Sequence, residues 1–465
     1  MAAAADRRPG TSIEGALYDL VARGKKDTFF IRDSKESENL FDARYETVPA
    51  YIPELRKIVP RNRIQWGTTC EFEIEKAGDI LIEPTLLIDL PSWLPTAAAK
   101  ANNNSVIQEL GTNNRYGYTN GIAYFLFEKI QFYQDNILLQ EFSGDSLFAQ
   151  RHLKGTYNSS FLEDALTGVH DGSPFAIQRN ATPGRLRLRL PLPFCQHADE
   201  GGLPLCATLT QQFRLRLTLR RLEDLVEAAL PCSPVKPAPW GKTFSFGVSL
   251  QRESIAHPTI LLENRQLYIG PNAQSAFQQM NEEYVIPYSR LYENSFTFGP
   301  TDYAALQSGL PMTKRLIDGR HPAEQIFWFV RSRDDIAANR LWHFEASNTS
   351  GQYYNTINLT VAGKSRETDW TPLVWTDIET HAKLERDSGR SIGVMNWSYG
   401  MSHSMRGPIE MQPTGTLNFT SADRPTLYVA LTAANTSNTI MNLLVDGYAT
   451  YEIKKGGRGG LLYAS

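Results

Sequence analysis

Two short segments end as a phosphate-binding loop ends: Gly241-Lys242-Thr243 and Gly363-Lys364-Ser365. Such a loop needs another glycine five positions before the first, so that successive amides can curl around a phosphate. Lys236 and Asn358 stand at those places, and both segments read as turns. Ser402-His403-Ser404 sets two hydroxyls beside a candidate general base. Adjacent residues of a strand point to opposite faces, so the triplet is a poor dyad and suits a loop. Asp334-Asp335 offers hard oxygen donors of the kind a cation takes, but a turn after a strand accounts for them. Neither His-Glu-x-x-His nor Gly-x-Ser-x-Gly occurs. The four cysteines, Cys70, Cys195, Cys206 and Cys232, include no Cys-x-x-Cys pair and read as reduced thiols packed as small hydrophobes. No catalytic residue, cofactor site or metal site is expected.

Asn-x-Ser/Thr triplets occur at Asn103, Asn158, Asn180, Asn348, Asn358, Asn396, Asn418 and Asn435. A chain rich in Asn, Ser and Thr generates them by chance. The amino terminus lacks the basic start and apolar core of a signal peptide, so secretion and host-type glycosylation are not expected. Nor does any stretch approach the run of apolar residues that a spanning helix needs. Five arginines fall on one period-two pattern, Arg185, Arg187 and Arg189 in one segment, Arg214 and Arg216 in another. They could meet phosphate. However, 47 basic against 50 acidic residues leave a net charge of −3, and no aromatic residues interleave the arginines for base stacking. A solvated face paired with Glu and Asp is the simpler reading, and sequence-specific nucleic-acid binding is not expected.

The elements that would position these residues are strands. Phe213-Arg-Leu-Arg-Leu-Thr-Leu219 and Arg185-Leu-Arg-Leu-Arg-Leu190 alternate strictly, as strands with one buried face do. Glu71 to Lys76 alternates too, with Phe72 and Ile74 on one face. Gly78-Asp79 then turns into an apolar run, Ile80 to Leu90, closed by Pro91. Further strand-like runs are Phe125–Gln140, Thr243–Gln251, Gln325–Arg331, Asn355–Val361, Gly415–Thr420 and Thr426–Leu431. One amphipathic helix is expected over residues 11–24. Thr11 and Glu14 have capping-box spacing, Ile13, Leu17, Leu20 and Val21 share a face, and Gly24 stops it.

Four prolines between Pro231 and Pro239 favour a stiff, extended linker. The expected organisation is an arm and helix over 1–25, a first domain over 26–228, a linker over 229–240 and a second domain over 241–465. A chain of 465 residues divided in this way gives two halves of short strands and long loops, with no regular alternation of strands and helices. The fold class is all-β: two consecutive β-sandwiches, of a size that suits jelly rolls, with short helices in loops and at the N-terminus.

Several segments, in order, resemble the double jelly-roll major capsid proteins of nucleocytoplasmic large DNA viruses. Ala16-Leu-Tyr-Asp-Leu-Val-Ala-Arg-Gly24 and Lys26-Asp-Thr-Phe-Phe30 resemble that family's opening. Gly78-Asp-Ile-Leu81, running to Leu90-Pro91, resembles its Gly-Asp-Leu strand. Leu190-Pro-Leu-Pro-Phe194 and Gly202-Leu-Pro-Leu-Cys-Ala207 are similar to the close of its first domain. His321-Pro-Ala-Glu-Gln-Ile-Phe-Trp328, Gln412-Pro-Thr-Gly-Thr-Leu-Asn-Phe419 and Gly459-Gly-Leu-Leu-Tyr-Ala-Ser465 resemble three motifs of the second. The chain departs from the pattern at Thr420-Ser-Ala-Asp423 and at Cys206.

The resemblance implies a structural protein, not an enzyme, without cofactor. It implies homotrimers forming pseudo-hexagonal capsomers that tile an icosahedral virion shell, assembled in the host cytoplasm. Implied partners are neighbouring capsomers, minor capsid proteins and, through the N-terminal arm, an internal membrane. Two other readings stay open at this stage. One is a minor capsid or spike protein. The other is a carbohydrate-binding β-sandwich, which would need aromatic platforms and convergent carboxylates.

Overall fold

A computed structural model describes residues 51–91, 116–153, 160–170, 184–193, 195, 202–208, 210–228, 256–278, 284–302, 313–346, 352–365, 370–384, 391–398, 415–422, 424–432, 438–454 and 458–461. The expected N-terminal helix, the proline linker, the Thr243–Gln251 run, Gly241-Lys242-Thr243, Cys232 and Ser402-His403-Ser404 lie outside the described residues.

Among the described residues every pairing of strands is antiparallel. One sheet runs in the order β1 (Tyr51–Ile58), β11 (Thr259–Ile269), β3 (Ile80–Asp89) and β7 (Arg185–Arg189), with β8 (Leu203–Pro204) also on β3. Its partner has the order β2 (Thr69–Ile74), β9 (Phe213–Leu219), β5 (Phe127–Gln134) and β6 (Ile137–Phe142). Alternation explains why these two sheets stack. Leu186, Leu188, Ile260, Leu262, Leu86 and Ile88 from the first enter one core with Phe72, Ile74, Phe213, Leu215, Leu217, Ile130 and Phe132 from the second. The arginines of β7 and β9 fall on the other faces. A small ribbon, β4 (Tyr116–Tyr118) with β10 (Val226–Ala228), stands apart from both sheets.

The second sandwich has the orders β12 (Tyr284–Phe298), β20 (Thr439–Lys454), β14 (Pro322–Ser332), β17 (Gly393–Asn396) and β13 (Thr313–Leu316), β19 (Thr426–Leu431), β15 (Tyr354–Val361), β16 (Lys364–Ser365). Short strands β18 (Leu417–Asn418) and β21 (Arg458–Leu461) extend the first of these sheets on β14 and β20.

β14 is apolar on both faces because the molecule uses both. Ile326, Trp328 and Val330 pack with Ile357, Leu359, Leu427 and Val429 of the sheet opposite. Phe327 and Phe329, between them, join the core of the first sandwich. Two-sided burial turns an alternating strand into a continuous apolar run.

β11 follows the proline segment in the chain yet lies between β1 and β3 in the first sandwich, where Ile260 and Leu262 complete the inner face. Two strand expectations are corrected. The Phe125–Gln140 run is not one strand. Ile122–Phe125 is a turn of helix, and β5 and β6 form a hairpin that bends at Asp135, whose φ is 49°. At the glycine-rich carboxyl end Arg458–Leu461 is a strand paired with β20. The Gly415–Thr420 run keeps only Leu417–Asn418 as strand.

Candidate functional site

The sequence-level candidates fall into ordinary structural roles. Gly363-Lys364-Ser365 belongs to the β15–β16 hairpin. Val361 pairs with Lys364, and the two residues between them, Ala362 and Gly363, have φ of 52° and 73°. A two-residue turn with both φ positive matches the twist of its strands, and the glycine takes that conformation without strain. Asp334 and Asp335 open the helix Arg333–Ala337. Ser332 caps it, its Oγ accepting from the Asp335 amide at 3.0 Å. The Asp335 carboxylate accepts from Ser332 Oγ at 2.7 Å and lies 3.3 Å from His343 Nδ1. Burial pushes its pKa up, but these two partners bring it below the usual carboxylate value.

Cys70, Cys195 and Cys206 are buried and unbridged. Burial pushes their thiols up to about 12, 12 and 11, far from the thiolate a nucleophile needs. Among the described residues no three His, Cys, Asp or Glu side chains gather as metal ligands would. Of the sequon asparagines, Asn396 is buried. Asn358 bonds Ser365 at 2.9 Å, and Asn418 accepts from the Thr420 amide at 3.0 Å.

The arginine stripe is paired. Arg185 makes a two-pronged bond to Asp89, 2.9 Å on each prong. Arg187 pairs with Glu263 on β11, and Arg216 with Glu71 on β2 at 3.1 Å. Arg214 bonds the Asp135 carbonyl and Asn136. Arg185–Asp89 and Arg216–Glu71 are opposite-charge pairs facing each other across adjacent strands.

The built feature lies where the two sandwiches meet. Edge strand β6 of the first sandwich is tied to edge strand β12 of the second. Gln140 Nε2 donates to the Ser289 carbonyl at 2.9 Å, and Tyr288 Oη to the Leu139 carbonyl at 3.0 Å. Covering sheet edges in this way removes sites for stray pairing. Phe344 bridges the apolar part, 5.9 Å from Phe148 of the first sandwich and 4.5 Å from Phe329 of the second, between ring centres. At the carboxyl end Gln211 makes a reciprocal pair with Gly459, both bonds 2.7 Å, and Gln134 donates to the same carbonyl at 2.8 Å.

Two buried carboxylates stand in this seam. Asp145 opens the helix Gly144–Leu153 and faces Arg331 of β14. Arg331 Nη2 reaches Oδ2 at 2.9 Å and Nη1 reaches Oδ1 at 3.2 Å, while Arg220 adds a bond of 3.1 Å. Burial works to raise the Asp145 pKa, but the two guanidiniums win and hold it at about 2. The second carboxylate is Glu227 on β10. Its Oε2 accepts from Trp342 Nε1 at 3.0 Å and lies 3.5 Å from Thr119 Oγ1. Thr119 gives its hydroxyl proton to the Asn339 carbonyl at 3.0 Å, and Asn339 Nδ2 returns a bond to Val226 at 2.7 Å. Among the described residues no guanidinium hydrogen-bonds Glu227, and Arg340 acts on it only through its field. Burial outweighs its hydrogen bonds and pushes it up to about 8.

None of these seam residues was singled out from sequence. The available signals were faint: Arg331 closing an apolar run, and Glu227 alone among Leu225, Val226, Ala228 and Ala229.

The seam joins the two sandwiches, and solved structures are similar to this chain in fold. A quasi-atomic model of the PBCV-1 virus capsid matches over 92% of this chain and 100% of that one, with TM-score 0.67 and 14% identity. The major capsid protein of Faustovirus matches over 90% and 93%, with TM-score 0.63 and 10% identity. No protein-family model matches the chain, and no curated protein matches it by sequence. The fold is the double jelly roll that the sequence motifs led us to expect.

Proposed function

We propose that the chain is a major capsid protein of a large DNA virus, and that three copies form a capsomer. The observation that carries this reading is the seam. Two jelly rolls fastened side by side by buried ions, hydrogen bonds and a shared aromatic core form one block. Three such blocks present six similar sandwiches, a pseudo-hexagon that can tile a shell. The likeness in fold to the PBCV-1 and Faustovirus proteins over nearly the whole chain supports it. The function is structural and non-enzymatic, and the place of action is the virion, with assembly in the host cytoplasm. Partners are neighbouring capsomers and minor capsid proteins. Residues 1–25 serve as an arm toward those proteins or an internal membrane. By sheet membership the first sandwich extends to β11. Assembly uses apolar interface cores with polar rims.

Light scattering on the purified protein tests this reading. The expected mass is about three times the 52.3 kDa chain; a stable monomer at micromolar concentration sinks it.

A further inference from the structure

Arg290 and Tyr292 are two residues apart on β12 and so share a face. The Arg290 guanidinium carbon lies 5.4 Å from the Tyr292 ring centre, and that ring is 6.1 Å from the ring of His321. Arg320 adjoins His321 in the chain. Burial lowers the His321 pKa first, and the fields of Arg290 and Arg320 lower it further; both arginines also act on Tyr292. Gly447 lies opposite Arg290 in the strand register. A Cβ there would stand 3.0 Å from the Arg320 carbonyl and 3.3 Å from the Tyr292 ring, so the glycine keeps the floor of this cluster low.

The cluster holds two guanidiniums and no anion. Among the described residues neither arginine pairs with a carboxylate. The acids on adjacent strands are committed elsewhere: Asp446 accepts from Ser289 and Gln325, and Glu324 from Tyr448. Tyr292 Oη and His321 Nε2 are both closed to solvent and unpartnered, an uncommon and costly condition for polar atoms. His321 also holds φ at 65°, a strained value for a bulky residue, pinned by its amide on Thr420 Oγ1 at 2.7 Å and its carbonyl on the Phe419 amide at 3.0 Å. Strain of that kind collects where a site needs a side chain held in place.

We propose that Arg290, Arg320, Tyr292 and His321, set around Gly447, bind a phosphate dianion, free or at the end of a phosphomonoester. Two guanidiniums on different elements match two negative charges. With a phenol and an imidazole they supply donors from several directions, which suits a tetrahedral oxyanion better than a planar carboxylate. Moving the Arg290 side chain off the Tyr292 ring opens the hydroxyl to the ligand.

Titration calorimetry of inorganic phosphate into the full-length protein at pH 7.5 tests the site. One phosphate per chain is expected, weakened at least ten-fold in Arg320→Gln and in Arg290→Gln. Arg320 is exposed, and its variant should melt with the parent, which separates lost binding from lost folding. Acetate and dimethyl phosphate, each singly charged, should bind at least ten-fold more weakly. Absence of phosphate binding to the parent, undiminished binding in both variants, or acetate binding as tightly as phosphate overturns the proposal. Dimethyl phosphate binding as tightly as phosphate overturns the dianion.

Discussion

Asp145 and Glu227 are both carboxylates buried between the same two sandwiches, and they meet opposite fates. Asp145 is given two guanidiniums and stays ionised down to a pH of about 2. Glu227 is given an indole N–H, a backbone bond at Asn120 and only the field of Arg340, and the cost of burying its charge lifts it to about 8. Neutral donors repay only part of the desolvation of a carboxylate, whereas a paired cation with several hydrogen bonds can repay it. One end of the seam is an ionic clamp that ignores ordinary pH. The other is a protonated clamp that titrates just above neutrality.

The largest effect should follow from breaking the ionic end. Arg331→Met leaves Asp145 buried with Arg220 alone. Removing one partner of a buried pair costs about 3–5 kcal/mol, to be read from urea unfolding. A loss under 1 kcal/mol would show that the clamp is solvated and that the contrast with Glu227 is false.

The pH profile sharpens the comparison. Glu227 moves from 4.5 in the unfolded chain to about 8 when folded, so between those values the unfolded state has released a proton that the folded state keeps. Stability from this group therefore falls as pH rises from 4.5 to 8 and levels off above. Asp145 moves the other way, from 3.8 to about 2; its contribution is present above 3.8 and is lost as pH falls through 2. Glu227→Gln should melt with the parent near pH 5 and above it at pH 9. An unchanged alkaline slope in that variant would assign the slope to another group.

How much of this could be read from the chain depends on how local each feature is. The alternation in Arg185–Arg189 and Phe213–Leu219 reports one buried face directly, and both became strands with arginines outward. Gln325–Arg331 was legible as a strand. Its second buried face was not, because Phe327 and Phe329 pack on a sandwich built largely from residues far earlier in the chain. The Asp145–Arg331 pair spans 186 positions, and no window of sequence contains both. The Phe125–Gln140 run was misread because its aromatic start suits a helix or a strand, and its turn uses Asp135 where a glycine would have marked it. The place of β11 beside β3 was not legible, because a run of prolines does not say which sheet the next strand joins. The double jelly roll itself came from motif resemblance; the pattern of residues alone reached only two β-sandwiches.

The smallest effect belongs to the arginines that looked most like a functional patch. Arg216 pairs with Glu71 at 3.1 Å and lies 5.6 Å from the Tyr133 ring centre, but 45% of its side chain is exposed. Water already solvates both ions there, so the pair gains little on folding and salt screens what remains. Arg216→Ala should change stability by less than about 1 kcal/mol, and raising the salt from 50 mM to 1 M should erase the difference. The Arg331→Met deficit should survive the same salt, because ions cannot enter the buried pair. If Arg216→Ala cost as much as Arg331→Met, burial would not be what separates them, and the stripe would have to be treated as part of the framework that holds the sandwiches together.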